Sequence, residues 1–197
     1  MNTNMFANPD ESAILDRLHT QLQFAAAAEG LLDIAYRTVD TPIGALLLAR
    51  TDQGLIRVAF AVEGHDAVLA MLADTVSPRI LRAPARLDDT ARQLDEYFTH
   101  QRTRFDIAVD LRLAQGFRRS VIEHLRVIGY GQRETYAEVA AAVGSPKAVR
   151  AVGTACARNP LPVVIPCHRV VRSDGSPGQY AGGAATKLTL LDFEGAA

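Results

Sequence analysis

Two cysteines in 197 residues, Cys156 and Cys167, are too few for a disulfide framework. They suit a reducing compartment, where a thiol stays available for chemistry. No long apolar run is present, and no basic segment leads into an apolar stretch near the start. A soluble, cytosolic protein without a membrane span is therefore expected. Cysteine and histidine never reach four-ligand spacing, so no structural zinc is expected. No cofactor is expected either. Net charge is also nearly absent, at −1, but the average hides an asymmetry. Residues 1–108 hold 10 Lys+Arg against 15 Asp+Glu, or −5, and residues 109–197 hold 11 against 7, or +4. Between Glu138 and Asp174 there is no acidic residue, yet Lys147, Arg150, Arg158, Arg169 and Arg172 all fall there. That excess fits a phosphate-facing footprint, and a plain solvated surface fits it nearly as well.

The length allows one large domain or two small ones, each with its own core. Asp10 or Ser12 is placed to cap a helix running to about Ala28, with Ile14, Leu15, Leu18, Leu22 and Phe24 near one face. Gly30 ends it. That apolar face predicts that residues 1–30 pack on the domain that follows. Strand-like runs at 33–39, 45–50 and 55–60 are separated by Pro42 and Gly44, then by Asp52 to Gly54, and read as an antiparallel meander. Residues 67–72 look helical, 75–86 irregular with a short strand at Ile80–Arg82, and 87–98 helical with Leu87, Ala91, Leu94 and Phe98 in phase.

After residues 103–110 the pattern turns helical. A helix over 115–128 carries Phe117, Val121, Leu125 and Ile128 on one side, and Gly129 and Gly131 stop it. Thr135-Tyr136-Ala137-Glu138 has the form of a capping box. Gly144 closes that helix, and Ser145-Pro146 reads as the N-cap and first position of the next. Two short helices around a tight glycine turn make a helix-turn-helix, whose second helix meets DNA. Val149, Val152 and Cys156 form its buried face; Lys147, Arg150, Thr154 and Arg158 form another, with Gly153 leaving room for a close approach. Ordinary surface charge is an equal alternative for Lys147 and Arg150.

The stretch Ile165-Pro166-Cys167-His168-Arg169-Val170-Val171 carries the candidate chemistry. Pro160, Pro162 and Pro166 fix φ and push Asn159, Leu161 and Ile165 towards extended conformations, so Cys167 is expected on a stiff, extended approach. On the dipeptide alone a buried structural cysteine is the alternative. A useful thiol nucleophile needs a base, and the base an orienting group. In an extended strand His168 would point away from Cys167, so it reaches the thiol only through a turn or a bridging water. Glu194, after a C-terminal helix and before Gly195, is a candidate orienting carboxylate, with a surface glutamate as its alternative. Asn159 is placed to clamp a turn. Gly178, Gly182 and Gly183 surround Tyr180 in a loop suited to walling a pocket.

Pro166-Cys167-His168-Arg169-Val170 resembles the active-site motif of the O6-alkylguanine-DNA alkyltransferases, also called methylated-DNA–protein-cysteine methyltransferases. Thr135-Tyr136, Pro146 to Gly153, Asn159-Pro160, Tyr180-Ala181-Gly182-Gly183 and Glu194-Gly195 resemble that family in order and spacing. Thr41-Pro42-Ile43-Gly44 and residues 94–111 resemble its N-terminal domain more loosely, and the first thirty or so residues have no counterpart in it. The resemblance implies that Cys167 accepts the alkyl group, with His168 as its base through a water and Glu194 completing the relay. It implies that Asn159 braces the active-site turn, Arg150 enters the base stack, and Tyr136 presses on the phosphate beside the flipped nucleotide. Lys147 and Gly153 lie on the same DNA-facing helix. Tyr180, the backbone at Ala181 and Gly182, Cys156 and Val170 would line the base pocket. Ala181 stands where some members carry a hydroxyl residue, which puts side-chain help to the guanine oxygen there in doubt.

The expected fold is an N-terminal α/β domain, a small antiparallel sheet with helices, over 31–108. A mainly helical, winged helix-turn-helix-like C-terminal domain follows over 109–197, and residues 1–30 form an extension. The expected function is direct reversal of O6-alkylguanine, and of O4-alkylthymine as a further substrate, in double-stranded DNA by a monomer. The transfer is stoichiometric and consumes the protein. The alternatives are a DNA-binding sensor of alkylation and a cysteine hydrolase.

Overall fold

The structure, a computed structural model, describes residues 9–195. Its first half is a sheet. Strands β1 (Ile34–Val39), β2 (Leu46–Thr51) and β3 (Gly54–Phe60) run antiparallel in sequence. Thr41 tightens the first reversal, its hydroxyl donating to Gly44 O at 2.6 Å. Gly54 is irreplaceable at the second, because a Cβ there would sit 2.3 Å from Ala108 O.

The sheet is mixed, which corrects the antiparallel expectation. Helix α2 (His65–Thr75) carries the chain across one face, and β4 (Ile80–Arg82) then pairs parallel with β1, giving the order β3-β2-β1-β4. A parallel neighbour needs such a crossover. A strand of three residues, half-buried to exposed, carries too short a pattern to announce its partner.

β2 is buried nearly throughout, so it reads as an apolar run rather than an alternation. Leu47 and Ala49 face Val68 and Leu72 of α2. Leu46 and Leu48 face the other way, into a core shared with Leu94 and Tyr97 of α3 (Asp88–Phe98) and with the C-terminal half. That shared core fixes how the two halves sit. Val58 N–H also donates to Pro160 O at 2.9 Å, so β3 holds the start of the active-site loop. Buried Asp110 accepts from Thr51 at 2.7 Å and pairs with Arg112 at 2.8 Å at the junction.

Helix α1 (Pro9–Ala28) touches the rest of the chain at its middle and at its far end. Ala26 packs beside Leu32, Ala35 and Ala83, and His19 Nε2 lies 2.7 Å from Arg82 O. Ile14, Leu15, Leu18 and Leu22 stay 47%, 59%, 51% and 54% exposed, so the apolar docking expected of these four is not made. The sheet faces are already covered by α2 and by the shared core, which leaves α1 only the β4 edge. The side chains of Ser12 and Phe24 lie outside the described residues. No helix among the described residues is long and apolar enough to cross a membrane.

The second half is built on α4 (Gly116–Leu125), α5 (Tyr136–Ala142), α6 (Val149–Ala157) and α7 (Gly183–Phe193). The two-residue strands β5 (Glu134–Thr135) and β6 (Val170–Val171) pair parallel. The capping box forms: Glu138 N–H donates to Thr135 Oγ1 at 3.2 Å and Thr135 N–H to Glu138 Oε2 at 2.6 Å. Ser145 does not cap α6. Its own N–H closes the end of α5 on Ala140 O at 2.8 Å, and its carbonyl accepts from Ala148 N–H at 2.8 Å. Pro146 and Lys147 are thus the middle of a turn, where proline's fixed φ also fits, and the helix begins only at Val149.

Candidate active site

The approach to Cys167 is a curled loop and not the extended run expected. Asn159 curls it. Its Oδ1 accepts from Leu161 N–H at 3.0 Å, while its Nδ2 donates to Ile165 O at 2.8 Å and to Cys167 Sγ at 3.1 Å. The prolines fix φ but leave ψ to be set by these bonds. Val163 is held at φ 71°, a conformation costly for a β-branched residue and sustained here by its buried neighbours. Pro166, at φ −81° and ψ 62°, centres an inverse γ-turn in which Cys167 N–H meets Ile165 O at 2.8 Å. A single 3₁₀ turn, Cys167–Arg169, follows. The turn removes the strand geometry that would have set Cys167 and His168 on opposite faces.

Cys167 and His168 are both buried. Burial pushes the Cys167 thiol up to about 11, against the opposing pull of the Asn159 amide and the nearby Lys187 ammonium. His168 Nε2 lies 2.9 Å from Glu194 Oε1. Glu194 is the C-cap of α7 and also buried. Burial alone would raise its carboxyl, but hydrogen bonds from His168 and Arg169 outweigh that and hold it well below the carboxylate range. Arg169 grips it with both arms, Nε to Oε2 at 2.9 Å and Nη2 to Oε1 at 2.8 Å. Tyr97 adds its hydroxyl to Oε1 at 2.7 Å.

An ionised carboxylate only accepts, so His168 Nε2 carries the hydrogen. Burial lowers the His168 pKa, which keeps the ring neutral. The lone pair is then on Nδ1, a buried atom with no partner among the described residues. The arrangement is a bare imidazole nitrogen on the residue next to a buried thiol, backed by a fixed carboxylate.

Tyr180 is buried, and its hydroxyl faces the Val163 backbone without closing a full hydrogen bond among the described residues. Its ring meets Phe60 of β3 edge-on at 5.5 Å and His168 at 6.3 Å. Gly182 is needed beside it, since a Cβ there would meet the Phe60 ring at 2.9 Å. A cleft of about 570 Å³ opens against Tyr180, lined also by Ala157, Arg172, Gly178 and Gly183. Ala181 is half-buried, while Cys156 and Val170 are fully buried beneath this region. Val170 O accepts from the Lys187 ammonium.

On the outer side, Lys147 and Arg150 are exposed and make no ion pair among the described residues. α6 buries Val152, Ala155 and Cys156. Tyr136 stands half-buried between α6 and the 178–183 loop, 4.0 Å from where a Gly153 Cβ would be. Burial lifts its hydroxyl to about 12.

Three residues of the site escaped the sequence. Arg169 lies inside the motif, where the sequence marks it only as a cation. Lys187 is a lone cation in the apolar run of α7, which was a usable signal for a buried role. Tyr97 gave none: the helix face inferred for α3 ran through Phe98, whereas Thr90, Gln93, Leu94 and Tyr97 are the buried ones.

A helix-turn-helix packed against a buried thiol, with histidine and carboxylate behind it, defines a DNA-binding protein built around a cysteine nucleophile. Residues 34–111 match the model described as 6-O-methylguanine DNA methyltransferase, ribonuclease-like domain, and residues 116–196 that of the DNA binding domain of the same proteins. The chain is 39% identical to a methylated-DNA–protein-cysteine methyltransferase of Mycolicibacterium paratuberculosis over 82% of this chain and 92% of that protein. It is 36% identical to the constitutive one of Bacillus subtilis over 81% and 94%. The crystal structure of Mycobacterium tuberculosis OGT in complex with DNA superposes with a TM-score of 0.70, at 35% identity, over 81% of this chain and 92% of that one. The chain belongs to the methylated-DNA–protein-cysteine methyltransferase family, and its activity is alkyl transfer from DNA to a protein cysteine, a direct repair of DNA.

Proposed function

We propose that Cys167 is the acceptor and that it takes the alkyl group from the O6 position of guanine in double-stranded DNA. The observation that supports this most is the bare, buried His168 Nδ1, whose other nitrogen is tied to Glu194. A thiol raised by burial is a poor resting nucleophile, so it must be deprotonated when substrate arrives. A water between Sγ and Nδ1 passes the thiol proton to His168, and Glu194 stabilises the imidazolium that forms. Sulfur attacks the saturated carbon, the S–C bond forms and the C–O6 bond breaks with its electron pair on oxygen. The proton then moves from His168 to the guanine. A thioether has no easy hydrolytic route, so each molecule reacts once.

The target oxygen is hidden in a duplex, so the base must be extruded, at a cost of a few kcal/mol. Arg150 fills the gap in the stack and Tyr136 presses the adjoining phosphate, with Gly153 letting the backbone approach and Lys147 neutralising a phosphate. Tyr180, the backbone at Ala181 and Gly182, Val170 and Cys156 receive the base, while Asn159 holds the turn. A cytoplasmic monomer suffices for this reaction.

The test is peptide mass spectrometry after mixing the protein with a duplex carrying one O6-methylguanine. One methyl group on the Cys167 peptide, saturating at one per protein and absent in Cys167→Ala, is the expected outcome. A lesion removed with no adduct on the protein would refute it.

A further inference from the structure

Glu194 accepts one hydrogen bond from the other half of the molecule. Tyr97 is on α3, fully buried, its ring set among Phe98, Phe105, Tyr130 and Phe193 with centroids 5.0, 5.2, 6.1 and 5.3 Å away. Burial and the adjacent carboxylate hold its hydroxyl far above the ordinary range, so it stays protonated and donates. The oxygen it meets at 2.7 Å, Oε1, is the one that also accepts from His168 at 2.9 Å and from Arg169 at 2.8 Å. Donors from two halves of the chain therefore share one carboxylate oxygen.

We propose that Tyr97 is a positioning residue for alkyl transfer, through which the N-terminal half aims Glu194 and sets how strongly it draws on His168. The inference rests on the relay described under the proposed function. Each donor on Oε1 withdraws charge that the others would use. Without the Tyr97 hydroxyl, Oε1 holds the His168 Nε2 proton more tightly and the imidazolium gains stability. Its carboxylate also loses one of the bonds that fix its orientation. The other ionisable groups around the pair are accounted for. Arg169 comes from the active-site turn, Tyr130 from the segment after α4, Lys187 from α7 and Tyr180 from the loop before it. Arg169, Tyr130 and Tyr180 also feel the Tyr97 hydroxyl, but burial pushes both tyrosines upward, so neither ionises in the acid range where the limb is read.

Single-turnover transfer rates across pH decide the matter, measured on Tyr97→Phe, on Phe105→Leu and on the parent. Tyr97→Phe keeps the ring and removes only the donor. It is expected to transfer about two- to ten-fold more slowly near neutrality, because the carboxylate loses a hydrogen bond that aims it and this outweighs the gain in imidazolium stability, with unchanged affinity for undamaged duplex. Its acid limb moves to higher pH, because His168 holds its proton more strongly. Phe105→Leu loosens the same aromatic cluster without touching the hydroxyl; it melts earlier and keeps the parent's acid limb. A 3-fluorotyrosine placed at 97 alone, a stronger donor of nearly the same shape, moves the limb to lower pH. It decides the question if Tyr97→Phe does not fold. A limb unmoved in both Tyr97 variants, or moved equally in Phe105→Leu, overturns the proposal. A parent that gains no methyl on Cys167 brings down the relay itself, and this outcome is visible in the masses of the same samples.

Discussion

The active-site turn and the recognition face lie a few residues apart in sequence and are built on opposite terms. Around Cys167 the polar groups are tied into one network that leaves His168 Nδ1 bare. Asn159 ties the loop at both ends, and Arg169, His168 and Tyr97 converge on Glu194. On α6 and the turn before it, Lys147 and Arg150 reach into solvent with no ion pair among the described residues. The difference separates two tasks. Chemistry on a saturated carbon needs fixed geometry in a dry setting, so its cost is met during folding. Binding a charged duplex needs free cations, whose partners arrive with the DNA. Substitutions should therefore divide cleanly: those in the turn strike folding and chemistry together, and those on the face strike only DNA.

Glu194→Gln tests the buried side hardest. The amide puts an NH₂ group where donors already converge and leaves the Arg169 charge without a partner. Breaking a buried pair in this way costs about 3–5 kcal/mol. Chemical denaturation should show that loss, and single-turnover transfer should fall with it. A Glu194→Gln protein as stable as the parent would mean that the pair is not the anchor of the turn.

Acidification presses on the same region more gently. Burial lowers the folded-state pKa of His168, so its neutral form favours folding. Its contribution is complete above the unfolded value of about 6.5 and is lost as pH falls below that through the folded pKa. Glu194 has a depressed folded pKa, so its contribution is complete above about 4.3 and fades as pH falls further. Unfolding free energy should thus begin to drop below about pH 6.5, well before carboxylates protonate. His168→Gln should flatten that first step; an unchanged step would assign it elsewhere.

The same contrast explains what could be foreseen. The recognition face and the motif are local, so capping-box letters at Thr135 and Glu138 and the order of Cys167 and His168 were legible. Glu194 was legible as a candidate because Gly195 marks a helix end. The parallel β4 was not, since three residues carry no pairing information. Nor was Tyr97, which meets Glu194 across 97 residues of sequence and has no sequence neighbour to betray it. The exposure of Ile14, Leu15, Leu18 and Leu22 was not legible either, because an apolar face says what a helix can bury, not whether any surface is left for it.

On the exposed face the expected effects are smaller and of another kind. Arg150→Ala should leave the melting temperature alone, since surface changes away from special features stay within about 0.5 kcal/mol. If Arg150 holds the opened stack, duplex repair should slow about ten-fold or more, part of the few kcal/mol that extrusion needs. Methyl transfer from the free O6-methylguanine base, which needs no extrusion, should be untouched. Equal losses on duplex and free base would place Arg150 in the chemistry and blur the division.

Lys147→Ala sharpens the division at its finest. Lys147 sits in the middle of the turn that leads into α6 and is exposed. A phosphate contact there would neutralise one charge and release about one counterion. Its removal should weaken binding uniformly across sequences and lower the salt slope by about 1, with stability and free-base transfer unchanged. Titrations at several salt concentrations read this directly. A slope equal to the parent's would show that the turn stands clear of the DNA, and that the phosphate-facing surface begins only with α6.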